Sequence, residues 1–357
     1  MLNKILKLSK QFVSIPSTSN NKKALNDILD LALKNLRGYT MEKFENNGVK
    51  SALVFNSKIR PRRFKILLNG HLDVVPGKEE KYKPRIIKNK LYGIGSMDMK
   101  AGASCLITAF SKVADKVKYP LGLQLVTDEE IGGFCGTKFQ IKNGVNSDFI
   151  IVGESTNLNI VNEAKGFLSL KITSRGKTSH GAYLWRGENA IWKMSEFLDL
   201  LKTKYPLPES ETWADTLNLS KIETTNNSFN KVPDDCTVWI EIRHSANTSD
   251  DSIIRGIKKL MPNNFHLRIE RKGPVIFTEE NNQYIKKLKA AAQKIANRNI
   301  GICGAHGTSD ARHFSQINSP AIEFGPTGGN IGTDKEWIDI SSLEIYCKIL
   351  IDFLLNV

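Results

Sequence analysis

Apolar residues along this chain follow two periods, and the period changes twice. Near the N-terminus Leu2, Ile5, Leu6 and Leu8 are interleaved with Lys4, Lys7 and Lys10, the spacing of an amphipathic helix rather than of an unbroken apolar signal segment. Residues 64–68, 121–126 and 149–152 are short, nearly continuous apolar runs, as buried strands require. Residues 100–117, rich in small side chains and periodic, predict a helix. Such alternation predicts an α/β layer with a mostly parallel sheet and flanking helices. From about residue 165 a period of two takes over in 167–173, 237–243 and 266–271, separated by helical patterns over 188–204 and 252–260. Strand, helix, strand, helix, strand describes a small α+β module with an antiparallel sheet. Beyond residue 277 the first pattern resumes, with a helix over 283–296, a strand over 321–324 and a closing helix over 342–355. The expected architecture is one α/β domain, residues 1–164 and 277–357, interrupted by an inserted α+β domain, residues 165–276.

Composition supports a folded chain. The 357 residues are 40% hydrophobic and 25% charged, which excludes a disordered or fibrous protein and leaves room for two domains. No apolar run approaches the roughly 18 residues that a membrane span needs. Cys105, Cys135, Cys236, Cys303 and Cys347 are odd in number and form no C-x-x-C pair. That argues against a disulfide framework or zinc ribbon and for a cytoplasmic setting.

Charge adds a question. Lysine and arginine number 51 against 37 acidic residues, a balance of +14, which admits a nucleic-acid, membrane or acidic-substrate partner. The excess is local: residues 1–90 hold 20 basic and 7 acidic residues, and residues 91–357 hold 31 and 30. It gathers in the N-terminal helices and in residues 58–65 and 78–90, which bracket His71. No nucleic-acid motif accompanies it, and Phe64 and Tyr82 are too few to make a stacking platform. The expectation is no nucleic-acid and no membrane partner; the charge is consistent with a dicarboxylate substrate.

Four clusters of acidic residues and histidine each follow a predicted strand, where open α/β sheets form their sites. In Asn69-Gly70-His71-Leu72-Asp73, His71 and Asp73 flank one residue and point the same way on an extended segment. A carboxylate beside an imidazole can fix its tautomer for metal binding. Asp98, in Met97-Asp98-Met99-Lys100, stands where a helix opens, so an N-cap is its ordinary reading. Asp128, Glu129 and Glu130 are adjacent carboxylates, which repel one another unless protons or cations intervene, or else form a solvated turn. Glu154 ends the third strand. Together these nitrogen and oxygen donors suit zinc or a similar divalent ion, and two ions sharing a carboxylate would use this many ligands.

The ordered series H-x-D, G-x-x-x-M-D-M-K, D-E-E and G-E-S-T resembles the M20 family of metallopeptidases and deacylases over nearly the whole chain. That family includes succinyl-diaminopimelate desuccinylase, acetylornithine deacetylase, aminoacylase and a glutamate-releasing carboxypeptidase. The resemblance implies a metal-dependent hydrolase of the amide bond of an N-acyl amino acid or short peptide. It implies one or two Zn2+ ions, or Co2+ or Mn2+. His71 and Glu154 would hold one ion and Glu130 the second, with Asp98 bridging. Asp73 would orient His71, and Glu129 would be the general base. Ser179-His180-Gly181-Ala182 is similar to the family's lid-domain motif, in which the histidine stabilises the oxyanion across a dimer. The inserted module would then be a lid and dimerisation domain, and the protein a homodimer. Asn230, and Arg243 thirteen residues on, match its substrate-binding pair; Arg243 would clamp a carboxylate, unless it is simply an arginine on an exposed strand face. Gly307-Thr308-Ser309-Asp310-Ala311-Arg312 resembles a loop prominent in the desuccinylases. It implies an Asp310–Arg312 pair, with Thr308 and Ser309 bonding the substrate, and turns the expectation toward a succinyl-diaminopimelate desuccinylase-like activity. Acetylornithine deacetylase, aminoacylase and dipeptidase or carboxypeptidase activities are the alternatives.

One position departs from the pattern. The family's last metal ligand is a histidine four residues before a glutamate, an aromatic and an aliphatic. Here Glu336-Trp337-Ile338 puts Gly332 at that position. Three outcomes stay open: a weak or empty second metal site, a substitute ligand among Asp334, Asn330 and His306, or a catalytically impaired or non-catalytic ligand-binding relative.

Overall fold

A computed structural model describes all residues from Met1 to Val357. The chain divides into two compact units, Met1–Glu163 with Ile276–Val357, and Ala164–Val275.

The first unit is built on a nine-stranded sheet whose centre is parallel. Leu121–Val126, Phe64–His71, Ser147–Val152 and Ala321–Glu323 lie side by side in that order, all running the same way. Their side chains are almost wholly buried, which explains the unbroken apolar runs. Register sets His71 opposite Val126 and Asn69 opposite Val152, so the carboxyl ends open along one edge.

Antiparallel strands complete both sides. Thr40–Asn46 and Val49–Phe55 form a hairpin that pairs with Leu121–Val126. Its turn is Asn47-Gly48, both with positive φ (51° and 76°), a two-residue turn for which Asn-Gly is the favoured pair. The apolar pattern alone did not predict this hairpin; the dipeptide was the legible signal. On the far side Ile160–Ala164 runs antiparallel to Ala321–Glu323. A separate small sheet joins Gly328–Gly329, Trp337–Asp339, Lys90–Tyr92 and Arg85–Ile87.

The helix Ala101–Val113 is buried on nearly every side. It packs with Leu2–Val13 and Ile340–Asn356 in a core that includes Ile5, Phe12, Leu106, Phe110, Phe149, Tyr346 and Phe353. Its small residues permit close approach: a Cβ on Gly102 would stand 2.2 Å from the Gly153 carbonyl oxygen. The helix therefore starts hard against the strand end that carries Glu154.

The second unit is an antiparallel sheet in the order Thr216–Glu223, Asp235–His244, Gly166–Arg175, Phe265–Gly273. Helices Ala190–Lys204 and Asp250–Lys258 begin at Asn189 and Ser249, whose side chains accept backbone N–H groups. Their buried faces, Met194, Phe197, Leu201, Ile253 and Ile257, join Leu168, Leu170, Ile172, Val238, Ile240 and Ile242 in a second core. Sequence reasoning predicted three strands here and the structure has four. Thr216–Glu223 is an edge strand exposed over most of its length, and a bulge between Leu219 and Lys221 breaks the alternation of Leu217 and Leu219 before Ile222. No helix is long and apolar enough to cross a membrane.

Candidate metal centre

The parallel strands bring three of the four predicted clusters to one edge, and the irregular segment before the Ala101–Val113 helix, rather than a parallel strand, brings the fourth, with Asp98. His71 is the last residue of its strand and is buried. Its Nε2 lies 2.9 Å from Asp98 Oδ1 and 3.5 Å from Glu154 Oε1. One donor atom from each of these three residues falls within 4.8 Å of the others. The opposite ring nitrogen, Nδ1, lies 3.2 Å from the Asp73 carbonyl and 3.4 Å from Asp73 Oδ1.

Asp98 is not a helix cap. It sits at φ −114°, ψ 99°, ahead of the helix that begins at Ala101, and the peptide that follows it is cis. Its segment is held by Glu336, whose Oε1 accepts the N–H groups of Met97 and Asp98 at 2.7 and 3.1 Å.

Asp73 joins two clusters. Its carboxylate oxygens accept the backbone N–H groups of Glu129 and Glu130 at 3.2 and 2.9 Å while one of them faces the His71 ring. Glu129–Ile131 is a single 3-10 turn, so the two glutamates diverge by turn geometry rather than by strand alternation. Glu129 Oε1 lies 3.4 Å from Arg312 Nη1, and Glu130 Oε1 accepts the Val75 N–H at 3.2 Å.

The electrostatics fit a cation. Burial first, then the charge of Asp98, raises the carboxyl of Glu154 well above its ordinary value and that of Glu130 to about 7. Glu129 is raised well above its ordinary value too, by burial and then by Asp310. Burial alone would lower the His71 imidazole, but its bonds to Asp73 and Asp98 and the charge of Glu154 leave it well above the usual value. One imidazole nitrogen and two carboxylate oxygens, held by a buried scaffold and crowded with like charge, are a donor set for a divalent ion such as zinc.

The remaining candidates fall in three places. The expected Asp310–Arg312 pair does not form: Asp310 Oδ2 accepts the Thr137 hydroxyl at 2.5 Å, and Arg312 turns to Glu129. Ser309 is buried and bonds the Glu323 carboxyl, which takes it away from a substrate, whereas the buried Thr308 hydroxyl has no partner. At the departure from the family pattern, Gly332 has φ +67° and nothing within 4 Å of a built Cβ. Asp334 pairs with Lys78 at 3.4 Å, Asn330 Nδ2 donates to the Lys335 carbonyl, and His306 is exposed; none of the three belongs to the cluster around His71.

In the second unit the S-H-G-A and N-K-V-P segments lie together, with the Gly181 N–H donating to the Asn230 carbonyl at 2.7 Å. His180 is exposed, and its Nδ1 accepts the Ala182 N–H, which leaves the proton on Nε2 as a donor. Arg243 is engaged by its own strand: Nε and Nη2 lie 3.0 and 2.8 Å from Glu241 Oε1, and the guanidinium stands over Phe167.

Sequence reasoning missed three side chains around the centre, Lys100, Glu336 and Glu323, and gave a fourth, Arg312, another partner. Lys100 is fully buried, donates to the Ile15 carbonyl at 2.7 Å, and is lowered to about 7 by burial against the pull of Asp73, Glu336 and Glu130. Glu336 clamps Asp98, Glu323 ends the fourth parallel strand, and Arg312 meets Glu129. Glu323 did leave a signal, a carboxylate interrupting the apolar run 321–324; the partners of the other three depend on long-range packing.

The model of "Peptidase family M20/M25/M40" matches residues 67–356 of the chain. A succinyl-diaminopimelate desuccinylase of Helicobacter pylori (strain Shi470) is 27% identical over 306 residues, 80% of this chain and 79% of that protein. Among solved structures, aminopeptidase PepT of Bacillus cereus superposes with a TM-score of 0.83 at 18% identity, covering 100% of this chain and 98% of that one. A Bacillus subtilis protein, described as a dinuclear metal binding peptidase from the M20 family, superposes with a TM-score of 0.75 at 10% identity, covering 99% and 97%. At these identities the two structures speak for the fold; the family model speaks for descent. This chain belongs to peptidase family M20/M25/M40 and is a hydrolase related to desuccinylases and peptidases.

Proposed function

We propose that the protein is a metal-dependent hydrolase that cleaves the amide bond of an N-acyl amino acid, with a succinyl-diaminopimelate-like substrate. The observation that carries this reading is the convergence of His71 and Glu154, at strand ends, with Asp98, in the turn before a helix, and Glu129 anchored on Asp73. Zinc is the ion we assign to His71, Asp98 and Glu154, with cobalt or manganese as alternatives and Glu130 available to a second ion shared through Asp98. Such an ion supplies Lewis-acid polarisation of the amide carbonyl and eases deprotonation of the attacking water.

The chain's own residues do the rest. Asp73 holds the Nδ1 side of His71, so that Nε2 faces Asp98 and Glu154. Glu129 takes the proton from the attacking water and returns it to the leaving amine. His180 is our candidate for stabilising the oxyanion, and Asn230 and Arg243 for binding the substrate carboxylate. For that, Arg243 must exchange Glu241 for the substrate. Thr308, with its unpartnered hydroxyl, is a better substrate contact than Ser309. We read the inserted unit as a lid and dimerisation module, the assembly as a homodimer, and the setting as cytoplasmic, where five free thiols stay reduced.

The loop at residues 307–312 and the name of the Helicobacter relative favour an N-succinyl substrate over the N-acetyl and dipeptide alternatives. Amine release from N-succinyl, N-acetyl and dipeptide substrates, each with zinc, cobalt and manganese, tests the reading. Release from the N-succinyl substrate is expected; no release with any metal refutes the hydrolase. Gly332 favours a second reading, a relative that binds an amino-acid derivative without turning it over, because a residue with no side chain stands where the family pattern has the second ion's histidine.

A further inference from the structure

We propose that Arg312 is a positioning residue for Glu129, holding one carboxylate oxygen so that the other is presented for proton transfer. The inference rests on the hydrolase reading, in which Glu129 is the base. Three observations lead to it.

The first is burial of a permanent charge. The Arg312 side chain is 8% exposed, and a guanidinium does not deprotonate in a protein, so burial commits it to a carboxylate partner. The second is the choice of partner. Asp310, two residues away in the same loop, is occupied by Thr137 and abuts Gly133 and His313. Glu323 takes its bond from Ser309. Glu129, 13% exposed, brings Oε1 to 3.4 Å from Arg312 Nη1, and no other side-chain bond to Glu129 competes.

The third is what already holds Glu129. Its backbone N–H is anchored on Asp73, which fixes the main chain but leaves three side-chain torsions free. Arg312 fixes the far end. The residue is thus tied at both ends, at the N–H by the aspartate that orients His71 and at the carboxylate by the short helix Ala311–Ser315, 183 residues later in the chain. Since arginine neither gives nor takes the proton, its part is orientation. The planar fork matters, because lysine offers only a point charge on a flexible stem.

Arg312→Lys and Arg312→Ala test this in the full-length protein, alone and combined with Glu129→Gln. Zinc content, kcat and KM on the best substrate of the panel, and thermal unfolding are measured together. The expected result is a fall in kcat of about tenfold or more with KM within about twofold and zinc content unchanged. Added guanidinium ion should restore part of the rate of Arg312→Ala, and ammonium should not. In unfolding, Arg312→Ala and Glu129→Gln should each lower Tm, with the double variant losing less than the sum, as residues in contact do. Unchanged kcat, loss of kcat through loss of zinc, or an additive thermal cycle overturns the proposal. If the unsubstituted protein turns over nothing, the hydrolase reading fails, and the thermal cycle alone decides whether the pair exists.

Discussion

Asp73 ties the ligand His71 to both glutamates of the neighbouring turn. One carboxylate faces the His71 ring and receives the N–H groups of both glutamates. Asp73→Asn keeps the shape but removes the charge and puts an N–H₂ donor where an acceptor stood. Zinc affinity should fall about 10- to 100-fold, the usual cost of losing the carboxylate behind a ligating histidine. A calorimetric titration that shows unchanged affinity would remove Asp73 from the account. Gly332→His is the converse change. Its Cβ meets open space, and histidine tolerates positive φ better than most side chains, so the variant should fold. If the missing histidine limits the centre, the variant should hold more zinc per chain and turn over faster. No change in metal content would show that Gly332 is not the lesion. At this scale His71, Glu130 and Glu154 were legible because each follows an apolar run, and Asp98 because it stands in the M-D-M-K motif. The reach of Arg312 was not, because spacing alone favoured its neighbour Asp310, and only the packed loop shows that Thr137 has claimed it.

Among the elements, the Ala101–Val113 helix positions the centre most directly. It begins against Gly153, one residue before Glu154, and Asp98 lies in the irregular turn before it. Gly102→Ala would drive a methyl to 2.2 Å from the Gly153 carbonyl oxygen, and backbone cannot yield as a side chain can. We expect a loss of about 1–3 kcal/mol, the usual cost of overpacking, together with weaker zinc binding because Glu154 is displaced. Denaturant unfolding with and without zinc measures both; an unaltered midpoint would mean that the helix and strand end are not in contact. The central strands and the helices over 283–296 and 342–355 could be read from periodicity because packing there follows the apolar pattern. The Thr40–Phe55 hairpin and the edge strand Thr216–Glu223 could not, since turn chemistry defines one and the other is mostly exposed.

For the molecule as a whole, stability depends on how much negative charge the site buries. Glu323 shows the sign. Burial raises its carboxyl from 4.5 to about 7, so the folded chain holds that proton more tightly than the unfolded chain does. Its contribution is therefore least unfavourable at acid pH, worsens as pH climbs from the ordinary glutamate value to about 7, and is constant above that. Glu323→Gln does not titrate and can still accept from Ser309. The Tm of the variant relative to the parent should rise between about pH 5 and pH 8. A difference that stays flat across that range would contradict the placement of Glu323 as a buried, reluctant carboxylate. The basic excess of residues 1–90 belongs to this scale too: in sequence it brackets the segment that carries His71, at a centre that is itself rich in carboxylates.

The central claim is that His71, Asp98 and Glu154 hold a metal ion. Zinc content after exhaustive dialysis, compared between the parent chain and Asp98→Ala, tests it most directly. Zinc should be retained by the parent and lost from the variant, with both chains folded. A parent that retains none, or a variant that retains as much, would contradict it.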